Sequence, residues 1–411
     1  MNLNEQLFGM ALGVELPLFI DKIEFDKEMG ELHIHLDFER GSRFNCDMCS
    51  ADGCKVSDTE NKTWRHLNFF QYKCYLHLRT PYINCTDCGN HLFVPDWGRT
   101  RSGFTLLFEA FILTLAREMP ISAIAETVDE HDTRLWRIIN AHVKKAYSKK
   151  DFSELKKVGI DETSTRKGHK YVSVFIDHDK KETVFATEGK NAETIKKFAE
   201  ELPNHNGNAE NVTAVSMDMS TAFIAGAKSN LPNATITFDK FHVVKQLNEA
   251  IDQVRREEQK INPVLKGSRY IWLKNPNNLT KKQQNDLHTL AKENKKLARA
   301  YQMKLTFQDI YRTVKDYDSA DYAMKKWLQW AVRSRLEPIK KFAKMVRSHY
   351  AGIMQFFISW LTAGVSESVN SRIQEIKRRA KGFRNINNFI SMIYLEGANL
   401  TLPAFGGSRG E

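Results

Sequence analysis

The chain has 411 residues, a length that favours two or three domains over one compact core. Hydrophobic residues at 42% and aromatics at 11% exclude general disorder, and a formal charge of +11 points to a polyanionic partner. Six cysteines are too few to staple a chain this size with disulfides, and two pairs are spaced as metal ligands, which suits a reducing cytosol.

The first twenty residues carry Glu5 and Glu15 and no basic segment, so no signal peptide is expected. Residues 20–95 read as short strands: Leu32, Ile34, Leu36 and Phe38 alternate with polar neighbours, as do Leu76 and Leu78. Among them, Cys46-x2-Cys49 and Cys85-x2-Cys88 each offer two thiolates from one tight turn, together enough for a tetrahedral structural zinc. Thirty-five residues, 50–84, separate the pairs and read as a strand-forming insertion in a zinc ribbon. Cys54 and Cys74 are surplus, and Cys54 is an alternative to Cys49 as ligand. The plainer reading is four unrelated buried thiols.

Residues 104–116 carry an apolar helical face that ends near Met119-Pro120, and 121–126 form a short helix. Asp129-Glu130-His131 makes a turn, and Asp132 or Thr133 caps a helix over 134–147. A short helix, a turn and a basic second helix fit a helix-turn-helix whose second helix enters the major groove. Arg134, Arg137, His142, Lys144 and Lys145 would then face DNA, with Leu135, Ile138 and Ile139 facing the core. An ordinary helical hairpin is the alternative.

Strands are expected at 157–161, 171–177, 183–188, 212–217 and 235–238, the last two following helices, as in a mixed α/β sheet. Val158-Gly159-Ile160-Asp161 and Val215-Ser216-Met217-Asp218 are apolar runs closed by an acid, so Asp161 and Asp218 should project from strand ends. Glu162 would point to the face opposite Asp161. Glu367 opens a basic helix, with Ser366 as its expected N-cap. Three acids on two strands and a helix are what two-metal phosphoryl chemistry requires. Hard divalent ions take oxygen ligands; one activates the attacking water or 3′-hydroxyl and the other stabilises the leaving oxygen. Taken singly, an acid at a strand end is more often a solvated residue or a cap than a metal ligand.

Residues 250–360 read as helical, and Trp272, Trp327 and Trp330 suit either a core or stacking on an unpaired base. The uncharged run 350–366 falls short of the roughly 20 apolar residues that span a bilayer and reads as a buried helix. Residues 361–396 read as one basic helix, with Asn370, Ser371, Gln374 and Arg378 on the face of Glu367. Arg372, Lys377, Arg378, Arg379, Lys381 and Arg384 form either a solvated face or a track for a DNA backbone.

Four ordered blocks carry a resemblance. They are Gly159-Ile160-Asp161-Glu162-Thr163-Ser164 with Arg166-Lys167-Gly168-His169-Lys170-Tyr171-Val172, then Ser216-Met217-Asp218-Met219-Ser220. Phe238-Asp239-Lys240-Phe241-His242-Val243-Val244-Lys245 follows, and Ser366-Glu367-Ser368-Val369-Asn370-Ser371-Arg372-Ile373 continues into Ile376-Lys377-Arg378-Arg379-Ala380-Lys381-Gly382-Phe383-Arg384-Asn385. Over about residues 40–395 the chain resembles the ISL-three family of insertion-sequence transposases. The resemblance implies an RNase H-like DDE domain in which Asp161, Asp218 and Glu367 bind two Mg²⁺ or Mn²⁺ ions. The spacing agrees: 56 residues (162–217) separate the aspartates, and 148 (219–366) separate Asp218 from Glu367, room for a helical insertion at about 255–344. Asp239-x2-His242 resembles a signature that follows the second aspartate in related transposases. His242 would contact the scissile phosphate, shuttle a proton, or sit hydrogen-bonded in the core.

The expected architecture is α/β: an RNase H-like mixed sheet with helices and a helical insertion, preceded by a zinc-ribbon β module and a helix-turn-helix. The expected divisions are a β segment at 1–40, the zinc module at 41–98, the helix-turn-helix at 99–150, the catalytic domain at 151–396 and a tail at 397–411. The resemblance implies a cytoplasmic DNA transposase that binds terminal inverted repeats and target DNA as a homodimer or larger assembly, with structural Zn²⁺ and no membrane partner. The rivals are a catalytically silent DNA-binding protein and an RNase H-like structure-selective nuclease. Intact acids argue against the first, and sequence-reading modules against the second.

Overall fold

The computed structural model describes residues 3–165, 170–361 and 364–405, so residues 166–169 of the first block and 406–411 of the tail lie outside it. The described residues form two units, one running to Ala146 and including those from Thr401, the other spanning Tyr147–Leu400.

The first unit opens with a helix, α1 (Leu3–Leu12), where a β segment was expected. Leu3, Leu7 and Met10 recur at helical rather than strand spacing, which accounts for the difference. One sheet then contains β1 (Leu18–Asp26), β2 (Glu31–Phe38), β3 (Arg43–Phe44), β4 (Cys54–Phe69), β5 (Tyr72–Cys85) and β6 (Gly89–Leu92). Because β2 pairs in parallel with β5, this sheet contains strands from both sides of residue 40. Leu32, Ile34, Leu36 and Phe38 are buried as their alternation predicts, with Leu76 and Leu78 beside them. The insertion between the cysteine pairs is mainly the antiparallel β4–β5 hairpin.

Next come α2 (Leu106–Ala116), α3 (Ile121–Val128) and α4 (Asp132–Tyr147). Asp129 takes the left-handed conformation (φ 51°) that ends α3 and makes the turn tight. Leu135, Ile138 and Ile139 are buried, as expected. His142 departs from expectation: it is buried, with Nε2 2.5 Å from a carboxylate oxygen of the buried Glu109. That partner lies thirty-three residues back, so helical spacing alone could not reveal it.

Arg99 and Ser102 also donate to Glu109, at 2.7 and 2.5 Å. Burial by itself would raise this carboxyl, but hydrogen bonds from His142, Arg99 and Ser102 outweigh it and hold the group at about 2. A lowered folded-state value means the stabilisation is complete above the unfolded value, about 4.3, and is lost as pH falls through about 2. Glu109→Ala strands His142 and Arg99 and is expected to cost about 3–5 kcal/mol near neutral pH in denaturant unfolding. The gap from the unmutated protein should close toward pH 2. A loss below about 1 kcal/mol would show that the network contributes little.

The second unit begins with β7 (Lys157–Ser164), β8 (Tyr171–Asp177) and β9 (Glu182–Glu188). After them come α5 (Ala192–Glu201), β10 (Ala214–Met217), α6 (Thr221–Asn230), β11 (Thr235–Phe238) and α7 (Lys240–Gln259). Its sheet has the order β11-β10-β7-β8-β9; β8 is antiparallel to both neighbours, while β10 runs parallel to β7 and β11. That is the RNase H-like arrangement. From Val172 onward β8 is buried at every residue, as a central strand covered on both faces must be.

The long α7 leaves the sheet and packs against the inserted helices. These are α8 (Arg269–Leu273), α9 (Lys281–Glu293), α10 (Lys295–Thr313), α11 (Tyr317–Val332) and α12 (Glu337–Ser348). Trp272 and Trp327 are buried and donate their indole N–H to Ser268 Oγ and Met303 O, and Trp330 packs against the same core. They fill the insertion, which leaves them unsuited to stacking on DNA. The buried Lys304 donates to the carbonyls of Trp272, Leu273 and Lys274, closing the end of α8.

The uncharged run expected as one helix is divided into α13 (Tyr350–Met354) and α14 (Phe356–Ser359), which stops at a left-handed Trp360. The expected single basic helix is likewise two, α15 (Gly364–Arg379) and α16 (Ile386–Gly397). Lys381 (φ 52°) and Gly382 (φ 95°) break it. Among the described residues no helix is long and apolar enough to cross a membrane.

Candidate active site and cysteine cluster

Parallel pairing sets Ser216 opposite Gly159 and Met217 opposite Phe238. Continuing those registers places Asp218 beside Asp161 on one side and Asp239 on the other, all at one end of the sheet. Asp161 does not close its strand as expected, because β7 stays paired with β8 through Ser164. The acids gather where β10 and β11 stop and the parallel pairing ends. Asp218 Oδ1 accepts the Ser220 N–H at 2.9 Å, and Asp161 Oδ1 accepts the Glu162 N–H at 2.7 Å. Asp239 caps α7 through the Phe241 N–H at 2.8 Å, and its other oxygen lies 3.2 Å from His242 Nδ1.

The helix α15 meets β7 through a close approach. A Cβ on Gly159 would sit 2.9 Å from Ser366 Oγ and 2.9 Å from His178 Nε2, so only glycine fits without displacement. Ser366 is therefore a buried residue inside α15, two residues beyond its start, and not its N-cap. One turn on, Asn370 Nδ2 donates to Asp161 Oδ2; a further turn on, Gln374 Nε2 donates to Thr163 Oγ1 at 3.2 Å. Glu367, one position round the helix from Ser366, is exposed and lines a cavity of about 700 Å³. Among the described residues no three carboxylate or imidazole groups here approach within 4.8 Å of one another.

Burial raises the Asp161 carboxyl, and Asp239 adds to it; the Glu162 and Asn370 hydrogen bonds and His242 oppose the rise. Glu162 is raised by burial too, with Asp218 and Asp161 contributing, so the strand neighbour set aside by alternation still feels the cluster. His242 is raised chiefly by its hydrogen bond to Asp239, then by the charges of Asp239, Asp161 and Asp218. Its side chain is 25% exposed, so it borders the acids rather than being sealed in a core.

The basic surface is narrower than the sequence implies. Arg372, Arg378, Lys381 and Arg384 are exposed, and Lys377 is half-buried. Arg379 instead pairs with Glu396. On α4, Arg137, Lys144 and Lys145 are exposed, whereas Arg134 pairs with Glu130 and lies 4.4 Å over the Phe104 ring.

In the first unit, the sulfurs of Cys46, Cys49, Cys85 and Cys88 all lie within 4.8 Å of one another, with Cys49 and Cys85 at 3.6 Å. Tetrahedral zinc with bonds of about 2.3 Å separates its sulfurs by roughly 3.8 Å, so the donor set fits that ion. Backbone N–H groups of Cys88 and Asp87 pull the Cys85 thiol down to about 6, while Cys88 is pushed up to about 12, first by Cys49. Cys54 falls outside the group and donates to Ala51 O, so the group of four contains Cys49 and not Cys54. Cys74 is a core residue raised to about 11 by burial. Asp47 and His91 were missed: His91 Nε2 lies 3.1 Å from Asp47 Oδ1 and 3.7 Å from Cys46 Sγ. The spacing Cys88-x2-His91 was the available signal.

Residues 94–143 match the helix-turn-helix domain of transposase family ISL3, and residues 158–393 match that family's transposase domain. The chain is 28% identical over 440 residues to the transposase for insertion sequence element IS1557 of Mycobacterium tuberculosis, covering 97% of each. It is 27% identical over 388 residues to the transposase for insertion sequence element IS1001 of Bordetella parapertussis, covering 91% of this chain and 94% of the relative. The transposase domain alone accounts for more than half of the chain, and with the DNA-binding domain ahead of it the protein belongs to the ISL3 family of DNA transposases.

Proposed function

We propose that the protein binds the terminal inverted repeats of its own insertion sequence, cleaves the DNA there and joins the freed 3′-hydroxyl to target DNA. The observation that carries this reading is the parallel register that gathers Asp161 and Asp218, with α15 and its Glu367 docked beside them. Asp161, Asp218 and Glu367 would hold two Mg²⁺ or Mn²⁺ ions, hard cations suited to carboxylate oxygens. Such ions, when bound, activate the attacking oxygen and offset charge on the leaving oxygen.

The chain's own part is positioning. Asn370 and the Glu162 N–H hold the Asp161 carboxylate, and the Ser220 N–H holds Asp218. Asp239 engages Nδ1 of His242, leaving the Nε2–H to donate to a phosphate oxygen or to give its proton to the leaving 3′-oxygen. Hydrolysis breaks one P–O bond and frees a 3′-hydroxyl; that hydroxyl then forms a P–O bond to target DNA as another breaks. No covalent protein–DNA intermediate is required, so no Ser or Tyr nucleophile is assigned. Arg137, Lys144 and Lys145 on α4, with Arg134, would enter the major groove. Arg372, Lys377, Arg378, Lys381 and Arg384 would follow phosphates. Holding two element ends at once calls for a dimer or larger assembly.

The test is incubation with labelled DNA carrying the repeats that flank this chain's own gene, with Mg²⁺ or Mn²⁺. Metal-dependent cuts at the repeat boundary are expected. Cutting governed by branching rather than sequence would favour a structure-selective nuclease, and binding without any cut would favour a silent DNA-binding protein.

A further inference from the structure

The cavity that Glu367 borders is not explained by the positioning of the acids. One wall is α15 at Gly364 and Glu367, and a second is the start of α7, with Lys240, Phe241 and Val244. A third comes from the insertion: the Asn275-Pro276-Asn277-Asn278 turn, with Leu305, Gln308, Asp309 and Arg312 of α10. At about 700 Å³ it is the size of pockets that take small organic ligands.

Its chemistry is specific. Phe241 is 54% exposed, a large apolar ring left open one residue from His242 and two from Asp239, its backbone pinned by the α7 cap. Asn277, Asn278 and Gln308 supply amides, and the buried side-chain carbonyl oxygen of Gln308 has no hydrogen-bond partner among the described residues. Lys240 and Arg312 supply cations. An exposed ring beside paired amide donors and acceptors suits a nucleobase, which offers a flat face for stacking and an edge for hydrogen bonds. A base stacked in a duplex cannot enter such a concavity, so its occupant must be unpaired.

We propose that this cavity receives one unpaired nucleotide next to the phosphodiester being cut, its base stacked on Phe241 and its edge read by Asn277, Asn278 and Gln308. The inference rests on the DNA-cleaving reading above and adds to it a subsite that the acids do not require. The subsite would fix the cut position by capturing one nucleotide.

The test uses the full chain and its terminal-repeat DNA, with 2-aminopurine placed in turn at each position across the boundary. A several-fold fluorescence rise is expected at one position within a few nucleotides of the cut. Phe241→Ala should abolish that rise and slow cleavage about tenfold or more, the size of a lost base stack, while Phe241→Trp keeps both. An abasic nucleotide at the same position should make the rate indifferent to Phe241→Ala. If the unmutated protein binds and cuts but no position brightens, the subsite is wrong and the transposase reading stands. If it neither binds nor cuts these ends, that reading fails and the subsite falls with it.

Discussion

Asp218→Asn is expected to slow cleavage of terminal-repeat DNA by at least about 10³-fold while leaving DNA binding and folding intact. The asymmetry follows from what each oxygen does. Asn keeps the carbonyl oxygen that accepts the Ser220 N–H, so the turn after β10 persists. What it loses is the negative charge, the property for which a hard cation selects a carboxylate. A metal ligand's contribution of several kcal/mol to phosphoryl transfer corresponds to that factor, at about 1.36 kcal/mol per tenfold. Removing one of several crowded like charges should leave the melting temperature unchanged or higher, since Asp218 helps raise Glu162. Glu367→Gln should match it, as Glu367 is exposed. If Glu367→Gln cut normally, the third ligand would have to come from Glu162 or Asp239. Equal loss of binding and cutting in Asp218→Asn would sink the separation of the two tasks.

Chelating the zinc that the four cysteines would hold is expected to destabilise the first unit without unfolding it outright. Structural zinc in small domains contributes roughly 10 kcal/mol at neutral pH. Here a hydrophobic sheet core shares the load, so partial loss is the fairer expectation: a fall of at least about 10 °C in the melting of this unit on chelation. Metal analysis should find one zinc per chain, and Cys49→Ser should lower both zinc content and affinity for the terminal repeats. Cys54→Ser, outside the sulfur group, should keep the metal. A protein that melts identically with and without chelator would reduce the cluster to four neighbouring thiols.

Much of the fold was legible because single physical signals dominated. Apolar runs gave all five strands of the second sheet within a few residues, and alternation gave the buried face of β2. Paired cysteines on tight turns announced their meeting even across a long hairpin. What stayed hidden depends on partners far along the chain. His142 looks like an outward cation until Glu109 is found beneath it, and Ser366 looks like a cap until Gly159 opens space for it. The break in the basic segment was visible in principle, since Lys381-Gly382 is a common helix ending, but its charge pattern runs on past the glycine. The cavity is assembled from five separate stretches, Phe356 of α14 among them, and no one of them reads as a binding motif alone.

The route by which the chain returns from α7 to α15 bears on how such proteins diverge. Asp161 and Asp218 come from adjacent strands, while Glu367 is seated by α15, whose polar contacts with β7 put Ser366 on Gly159, Asn370 on Asp161 and Gln374 on Thr163. Closing a longer excursion costs only about 0.6 kcal/mol per doubling of its length. Natural lengthening, shortening or exchange of helices should therefore concentrate in the stretch between α8 and α12, with the strip facing β7 held constant. The acids could keep their geometry while the surrounding helices drift, and any nucleotide preference built from those helices would change faster than the chemistry.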